Sequence, residues 1–452
     1  MNNWSENIIS NKSSKVAVID DHGRITYQQL SIYVINYASH LRDKGLGPGD
    51  RILITSKNHA DTIIAVLASA YIGATVCMLS PDLPREKIDQ ALVKVDARYH
   101  IENNIVRFEG LPNIPVAHEY PRDAEGFMLS TSGTTGFQKF IVHRHSVFFD
   151  YFELIKDIHA ITTDSVIFCG PKLHWGYGFT INLIAGLGKG ATIVLTDKIR
   201  KPLDFCDMLD REKVSHVFTV PVFAELLVRT EPATRQKEIV RNVEYFFTAG
   251  DILPKRIHEK FYEYYGKRLN NGWGQTEVLS YATINYAGED IDSDYRSVGR
   301  IIDGIELKAE NGEMFVKSPC RAIGYLNDPN STNYTFKGDW VRTNDMIEII
   351  NGRVIFLNRK GNLFKIRGEF CSIDDIEQTV LNTGLVYECL ASPITTNGEI
   401  SLLIQVVGDN VNESELRLAL TKFKVEKTIK IVDSLPKTYT NKKLRSIRVY
   451  DK

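Results

Sequence analysis

Short apolar runs alternate with helix-length segments through most of the chain. The runs "RILITSK", "TVCMLS", "SVIFCG", "ATIVLT", "HVFTVP" and "YFFTAG" read as strands, and "PLDFCDMLDREKV" and "PVFAELLVRTEP" read as helices among them. This rhythm predicts α/β layers built on largely buried sheets. A chain of 452 residues is also too long for one small core. After about residue 338 the texture changes. Closely spaced short strands in "WVRTNDMIEIINGRVIFLNRKGNLFKIRG" are followed by a helix ("IDDIEQTVLNT"), strands ("ECLASPIT", "ISLLIQVVG"), a helix ("ESELRLALTKF") and a last strand ("KTIKIVD"). The predicted architecture is a large N-terminal domain of layered α/β subdomains (1–357) and a small α+β C-terminal domain (358–452). The boundary falls near Leu357–Gly361, where "LNRKGN" reads as a turn.

Composition excludes several classes. The formal net charge of −1 offers no basic field for nucleic acid or an anionic membrane, so neither is expected as a partner. The stretch Thr62–Leu79 is uncharged and long enough to span a bilayer under strain. Gly73 and Ala74 interrupt it, however, and β-branched text ending at Pro81 follows. A buried helix, a turn and a short core strand are expected instead. The N-terminal text has no apolar signal region, and the six cysteines form no C-x-x-C pair. Buried free thiols in a cytoplasmic protein are therefore expected.

The segment "LSTSGTTGFQKFIVHRHS" (129–146) concentrates serine, threonine and glycine ahead of a lysine. Small residues let backbone N–H groups approach an anion, hydroxyls donate further hydrogen bonds, and the lysine supplies charge, so a phosphate cradle is predicted. Strand-like text flanks it on both sides. It is not a Walker A loop, because Gly133 and Gly136 are only three apart and Phe140 follows Lys139.

"STSGTTGFQK" resembles the S-G-T-T-G-x-P-K signature of the adenylate-forming superfamily, which holds acyl-CoA synthetases, peptide-synthetase adenylation domains and luciferases. Further segments resemble that family in its order: "TAGDILP" (248–254), "NGWGQTE" (271–277), "GDWVRTND" (338–345), "NRKGNLFKIRGEFCSIDDIE" (358–377) and "LPKTYTNKKLR" (435–445). The resemblance implies ATP and Mg²⁺ as cofactors. It places Thr131, Ser132, Gly133, Thr134, Thr135, Gly136 and Lys139 around the phosphates. Gly250, Asp251, Asn271, Gly272, Trp273 and Gly274 border the purine, Thr276 reaches the α-phosphate, and Glu277 helps to hold Mg²⁺. Asp345 accepts from the ribose hydroxyls, with Arg359 beside it. Counting from "LPKT", the catalytic lysine is Lys442, with Lys443 as a solvated neighbour. In this family the small domain rotates between an adenylation pose and a thioester-forming pose.

Each assignment makes chemical sense. A carboxylate attacking the α-phosphorus of ATP brings two anions together, and a divalent cation on Glu277, loop amides and lysine charge offset that repulsion. Departures from the pattern are Gln138 for proline, Asn344 and Asn358 for glycines, Gly361 for an acidic or basic hinge residue, and Asn441 for glycine. Asn344 is expected to occupy a left-handed position, as the next best residue to glycine. Gly361 is expected to give torsional freedom at the hinge.

"PKLHWGYGFTINLIAGLGKGATIVLT" (171–196) looks most like the acid-pocket wall of the benzoate–CoA ligase branch. His174, Trp175, Tyr177 and Gly178 are its candidate substrate contacts, and His174 is read either as a gate near the reacting carboxylate or as a packed core histidine. No acid stands there to pair with an α-ammonium group, which favours an apolar, aromatic body over an amino acid. Gly368 falls where the family needs a small residue for a pantetheine arm to pass. The resemblance therefore implies a carboxylate–CoA ligase, with coenzyme A as acceptor. The alternative is a stand-alone adenylation enzyme that loads a carrier protein. A non-catalytic nucleotide-binding regulator is disfavoured by the intact set Lys139, Glu277, Asp345, Arg359 and Lys442.

Overall fold

A computed structural model describes residues 3–102, 115–132, 138–199, 201–289, 294–366, 369–396, 399–436 and 448–450. Among these residues the strands form four sheets. The largest has a parallel centre in the order Thr192–Val194, Val166–Cys169, His216–Thr219, Tyr245–Thr248 and Asn270–Gln275. It then continues as an antiparallel run through Ser280–Ile284, Ser297–Ile301, Arg353–Arg359 and Trp340–Ile350. All six strands expected from the apolar runs are present. Those runs are short and lack alternation because the parallel strands are buried on both faces.

The second sheet runs Gly324–Tyr325, Gln138–Arg144, Glu125–Ser132, Thr75–Met78, Arg51–Thr55 and Tyr99–Glu102. One core takes Val76 and Leu129 from this sheet and Ile167, Phe218 and Phe247 from the larger one. Helix Ala60–Tyr71 packs against strands of both, and every residue in it except Asp61 is buried. Enclosure between two sheets accounts for the uncharged 62–79 stretch: the helix ends at Tyr71, Gly73 turns the chain at φ +92°, and Thr75–Met78 follows as a strand. No described helix is long and apolar enough to cross a membrane.

Beyond Arg359 come a single 3-10 turn, Lys360–Asn362, and the two-stranded sheet Leu363–Ile366/Glu369–Ser372. Helices Ile373–Asn382 and Glu413–Ala419 then pack on strands Glu388–Thr396, Glu399–Val407 and Lys427–Ile431 around a separate core that includes Ile376, Val386, Leu402 and Leu416. The last strand is not "KTIKIVD". Arg448–Tyr450 adds to Glu388–Thr396 in parallel. Its three residues are too few to carry a strand signal of their own, and the pairing comes from the sheet edge. Asn344 has φ +59°, as its replacement of glycine predicted. Gly361 does not adopt a left-handed conformation, and no described atom lies within 4 Å of where its Cβ would stand. This arrangement therefore does not itself require a glycine there.

Four core histidines, His143, His145, His159 and His174, are each lowered to about 3, chiefly by burial. His159 lies between the rings of Phe218, Phe247 and Tyr281, and neither of its nitrogens has a hydrogen-bond partner among the described residues. All four are neutral in the folded chain at pH 5, whereas the unfolded chain protonates them below about 6.5. Their contribution is thus intact above 6.5 and is lost as pH falls towards 3, at up to about 1.4 kcal/mol per pH unit for each group. Urea unfolding at pH 7, 6 and 5 should show this decline, and His159→Leu should reduce the slope by one proton's share. A wild-type stability that stays flat from pH 7 to 5 would contradict the buried neutral state.

Candidate active site

The central parallel strands deliver their carboxyl ends to one edge of the larger sheet. Open α/β sheets form ligand crevices at that edge. Val166–Cys169 leads into the segment carrying His174, Trp175, Tyr177 and Gly178. Tyr245–Thr248 leads to Gly250 (φ +88°) and Asp251, both exposed, and Asn270–Gln275 leads to Thr276 and Glu277. Most of the sequence-selected residues of this sheet therefore share one rim although they lie up to a hundred residues apart.

Trp175 precedes a short helix, Gly176–Phe179, which passes directly into a π-helical turn, Thr180–Gly186. Gly178 is required by close packing: a Cβ there would lie 2.1 Å from the Lys172 carbonyl oxygen. Gly176 faces the 271–277 segment, with its Cβ position 3.6 Å from Thr276 Oγ1. The Tyr281 hydroxyl donates to Tyr177 at 2.5 Å, and burial pushes both phenols well above their usual range. His174 is 5% exposed and its Nε2 has no hydrogen-bond partner among the described residues. Burial, with the charge of Lys172 adding to it, keeps the ring neutral.

Asn271 and Gly272 lie inside the strand, where the Asn271 side chain donates to the Ser297 carbonyl at 3.0 Å. Trp273 Nε1 donates to Asp345 Oδ2 at 2.8 Å, beyond a bulge at Trp273/Gly274. Gln275 Nε2 donates to the same oxygen at 3.1 Å, and Arg359 Nε to Oδ1 at 3.0 Å. Asp345 and Arg359 are directly opposed cross-strand partners. The Asp345 carboxylate is 3% exposed, and burial raises its pKa against the opposing pull of Arg359 and the two other donors. Gln275 was not among the residues selected from sequence. It is the "x" of its motif, and only the fold shows its contact.

The smaller sheet supplies the other wall. Strands Glu125–Ser132 and Gln138–Arg144 bracket the glycine-rich loop as expected, with Thr131 opposite Lys139. Gly133, Thr134, Thr135 and Gly136 lie outside the described residues, as do Gly368, Lys442 and the side chain of Ser132. Lys139 Nζ donates to Ser331 Oγ and pairs with Asp328 at 3.3 Å. It also stands 5.3 Å from the Tyr325 ring centroid. The Tyr325 hydroxyl donates to Glu277 Oε1 at 2.6 Å, so the lysine side and the Glu277 side of the rim meet at one tyrosine. No cluster of three or more metal-binding side chains occurs among the described residues. A single part-exposed carboxylate suits Mg²⁺, which is commonly held by one or two carboxylates and the substrate's own phosphates.

The AMP-binding enzyme family matches residues 6–326, and the chain belongs to that family. It is 25% identical to the benzoate–CoA ligase of Thauera aromatica, across 97% of this chain and 94% of that one. It is 23% identical to the 3-hydroxybenzoate–CoA ligase of Aromatoleum sp. (strain CIB), across 94% of this chain and 91% of the relative. The solved anthranilate CoA ligase AuaEII in complex with anthranoyl-AMP superposes with a TM-score of 0.86 at 19% identity, covering 98% of this chain and 95% of that chain. The adenylate-forming resemblance and the α/β fold read from the sequence are thereby established.

Gly178→Ala tests the packing of the 171–178 segment. The added methyl has no room beside the Lys172 carbonyl, and overpacking of this kind costs about 1–3 kcal/mol. Thermal unfolding should show a lower midpoint. An unchanged midpoint would mean that the segment does not close on itself as described.

Proposed function

We propose that this enzyme is an AMP-forming aromatic carboxylate–CoA ligase. The substrate carboxylate oxygen attacks the α-phosphorus of ATP, the bond to the pyrophosphate oxygen breaks, and acyl-AMP forms. The thiol of coenzyme A then attacks the acyl carbon, loses its proton and expels AMP. The observation that carries this reading is the shared rim: a Cβ at Gly176, in the acid-pocket segment, would stand 3.6 Å from Thr276 Oγ1, and Glu277 beside it is joined through Tyr325 to the side bearing Lys139.

In this reading residues 131–136 and Lys139 hold the phosphates. When bound, Mg²⁺ neutralises phosphate oxygens, with Glu277 as its protein ligand. Gly250, Asp251 and Asn271–Gly274 border the purine, and Asp345 with Arg359 faces the ribose. Ribose hydroxyls would share the Asp345 carboxylate with Trp273 and Gln275 or replace them there. His174, Trp175, Tyr177 and Gly178 surround the acid. Neutral His174 can lie near a carboxylate without forming an ion pair that would hold the nucleophile back. Residues 358–452 act as the mobile small domain, with Gly368 beside the thiol channel and Lys442 completing the adenylation site. A cytoplasmic enzyme fits the five described cysteines, which are all buried and free.

Lys442→Ala separates the two steps. Loss of a fixed transition-state donor should slow adenylation by about 10²–10³-fold, while thiol attack on preformed acyl-AMP persists. An unimpaired first step would refute the role of Lys442. Pyrophosphate release across a panel of carboxylic acids should be greatest for benzoate-type acids, with thioester formed on free coenzyme A. Acceptance of only a carrier-bound phosphopantetheine would replace the ligase reading with that of a carrier-loading enzyme.

A further inference from the structure

The segment 322–326 is stitched on both sides. Ala322 N donates to the Glu277 carbonyl at 2.9 Å, and Ile323 N and Leu326 N donate to the carbonyls of Val142 and Phe140, each at 2.8 Å. Gly324–Tyr325 pairs antiparallel with Ile141–Val142, so Tyr325 is opposed to Ile141, two residues from Lys139. This backbone bracket joins the lysine strand of one sheet to the Glu277 turn of the other. Tyr325 is its only side chain that contacts both Lys139 and Glu277 among the described residues.

The contacts are specific. The phenol donates to Glu277 Oε1 at 2.6 Å, the length of a charge-assisted O–H···O⁻ bond. Glu277 Oε2 has no hydrogen-bonding partner among the described residues. Lys139 stands over the ring face at 5.3 Å and is paired from the other side by Asp328, whose carboxylate also caps the helix Pro329–Thr335.

We propose that Tyr325 is a positioning residue: its hydroxyl orients the Glu277 carboxylate so that the other oxygen meets the divalent cation carried by ATP, and its ring seats Lys139 on the phosphate side. This rests on the reading of Glu277 as the cation's protein ligand. The phenol restrains rotation of a carboxylate that has no other hydrogen bond among the described residues, and it engages only one of the two oxygens. A phenylalanine keeps the ring under Lys139 and removes only the orienting hydrogen bond.

The test compares wild type, Tyr325→Phe, Glu277→Gln and the double variant. Mn²⁺ binding in the presence of ATP is followed by electron paramagnetic resonance, and the Mg²⁺ dependence of pyrophosphate exchange is measured beside it. Loss of a hydrogen bond to a charged group should raise the half-saturating cation concentration about tenfold or more in Tyr325→Phe, and the double variant should match Glu277→Gln. Binding of a non-hydrolysable acyl-sulfamoyl adenosine, which carries no pyrophosphate, should be unchanged by Tyr325→Phe. A cation requirement shifted in Glu277→Gln but not in Tyr325→Phe removes the role of Tyr325 alone. Equal weakening of cation and analogue binding in Tyr325→Phe shows a merely structural tyrosine and also overturns the proposal. A Glu277→Gln enzyme with the wild-type cation requirement removes the reading of Glu277 and this inference with it.

Discussion

Asp345 is a carboxylate with almost no access to water, and the arrangement of the larger sheet follows from how it is satisfied. Burying an ionised group without partners costs several kcal/mol. Here Trp273, Gln275 and Arg359 direct N–H groups at its two oxygens, and Thr343 Oγ1 accepts from its backbone N–H. These donors lie on strands Asn270–Gln275 and Arg353–Arg359, which are not neighbours in the sheet. The bulge at Trp273/Gly274, the left-handed Asn344 and the register that opposes Asp345 to Arg359 are jointly needed to bring them together. An indole N–H can only donate, so tryptophan at position 273 is compatible with an acceptor opposite it.

The two large sheets solve complementary parts of one problem. Parallel strands end at a common rim and can present backbone turns and small residues there. The antiparallel pair Glu125–Ser132/Gln138–Arg144 of the smaller sheet sets Lys139 opposite Thr131. A shared core ties the two, with helix Ala60–Tyr71 packed on both. Close packing transmits position rigidly, so the separation between the Lys139 strand and the Thr276–Glu277 turn is set by the same contacts that stabilise the fold.

Several levels of this organisation were legible in the sequence. Doubly buried parallel strands leave uninterrupted β-branched and aromatic text, and the turn at 360–362 lay where "LNRKGN" suggested. Asn344 was readable because few residues other than glycine tolerate positive φ. The π-helical turn Thr180–Gly186 was not, because its mostly apolar text, fully buried, carries no register signal. There the Asn182 side chain donates to the Gly178 carbonyl, a tertiary detail. Gln275, Tyr325, Asp328 and Asp374 also escaped notice, since each acts through a partner far along the chain. Only Asp328 had a local signal, an aspartate before Pro329 that caps the helix there.

The junction after Arg359 is fastened by carboxylates from both sides. Glu313 holds Lys360 and Arg342, and these cations lower its pKa to about 2. Asp374 accepts from the Arg359 backbone N–H and from the Asn362 side chain, each near 3 Å. Further out, the Arg256 backbone N–H donates to Asn382, and the Arg229 guanidinium stacks on Tyr387. Rotation of residues beyond 362 about this junction would have to break the Asp374 contacts while leaving Arg359 on Asp345. Each charge-assisted hydrogen bond is worth only about 1.5–3 kcal/mol net, and water can replace those at the half-exposed Lys360. The junction is thus held by a small number of individually modest polar contacts, beside the separate core that includes Ile376, Val386, Leu402 and Leu416. Gly361, with no described atom within 4 Å of where its Cβ would stand, adds no side-chain packing to it.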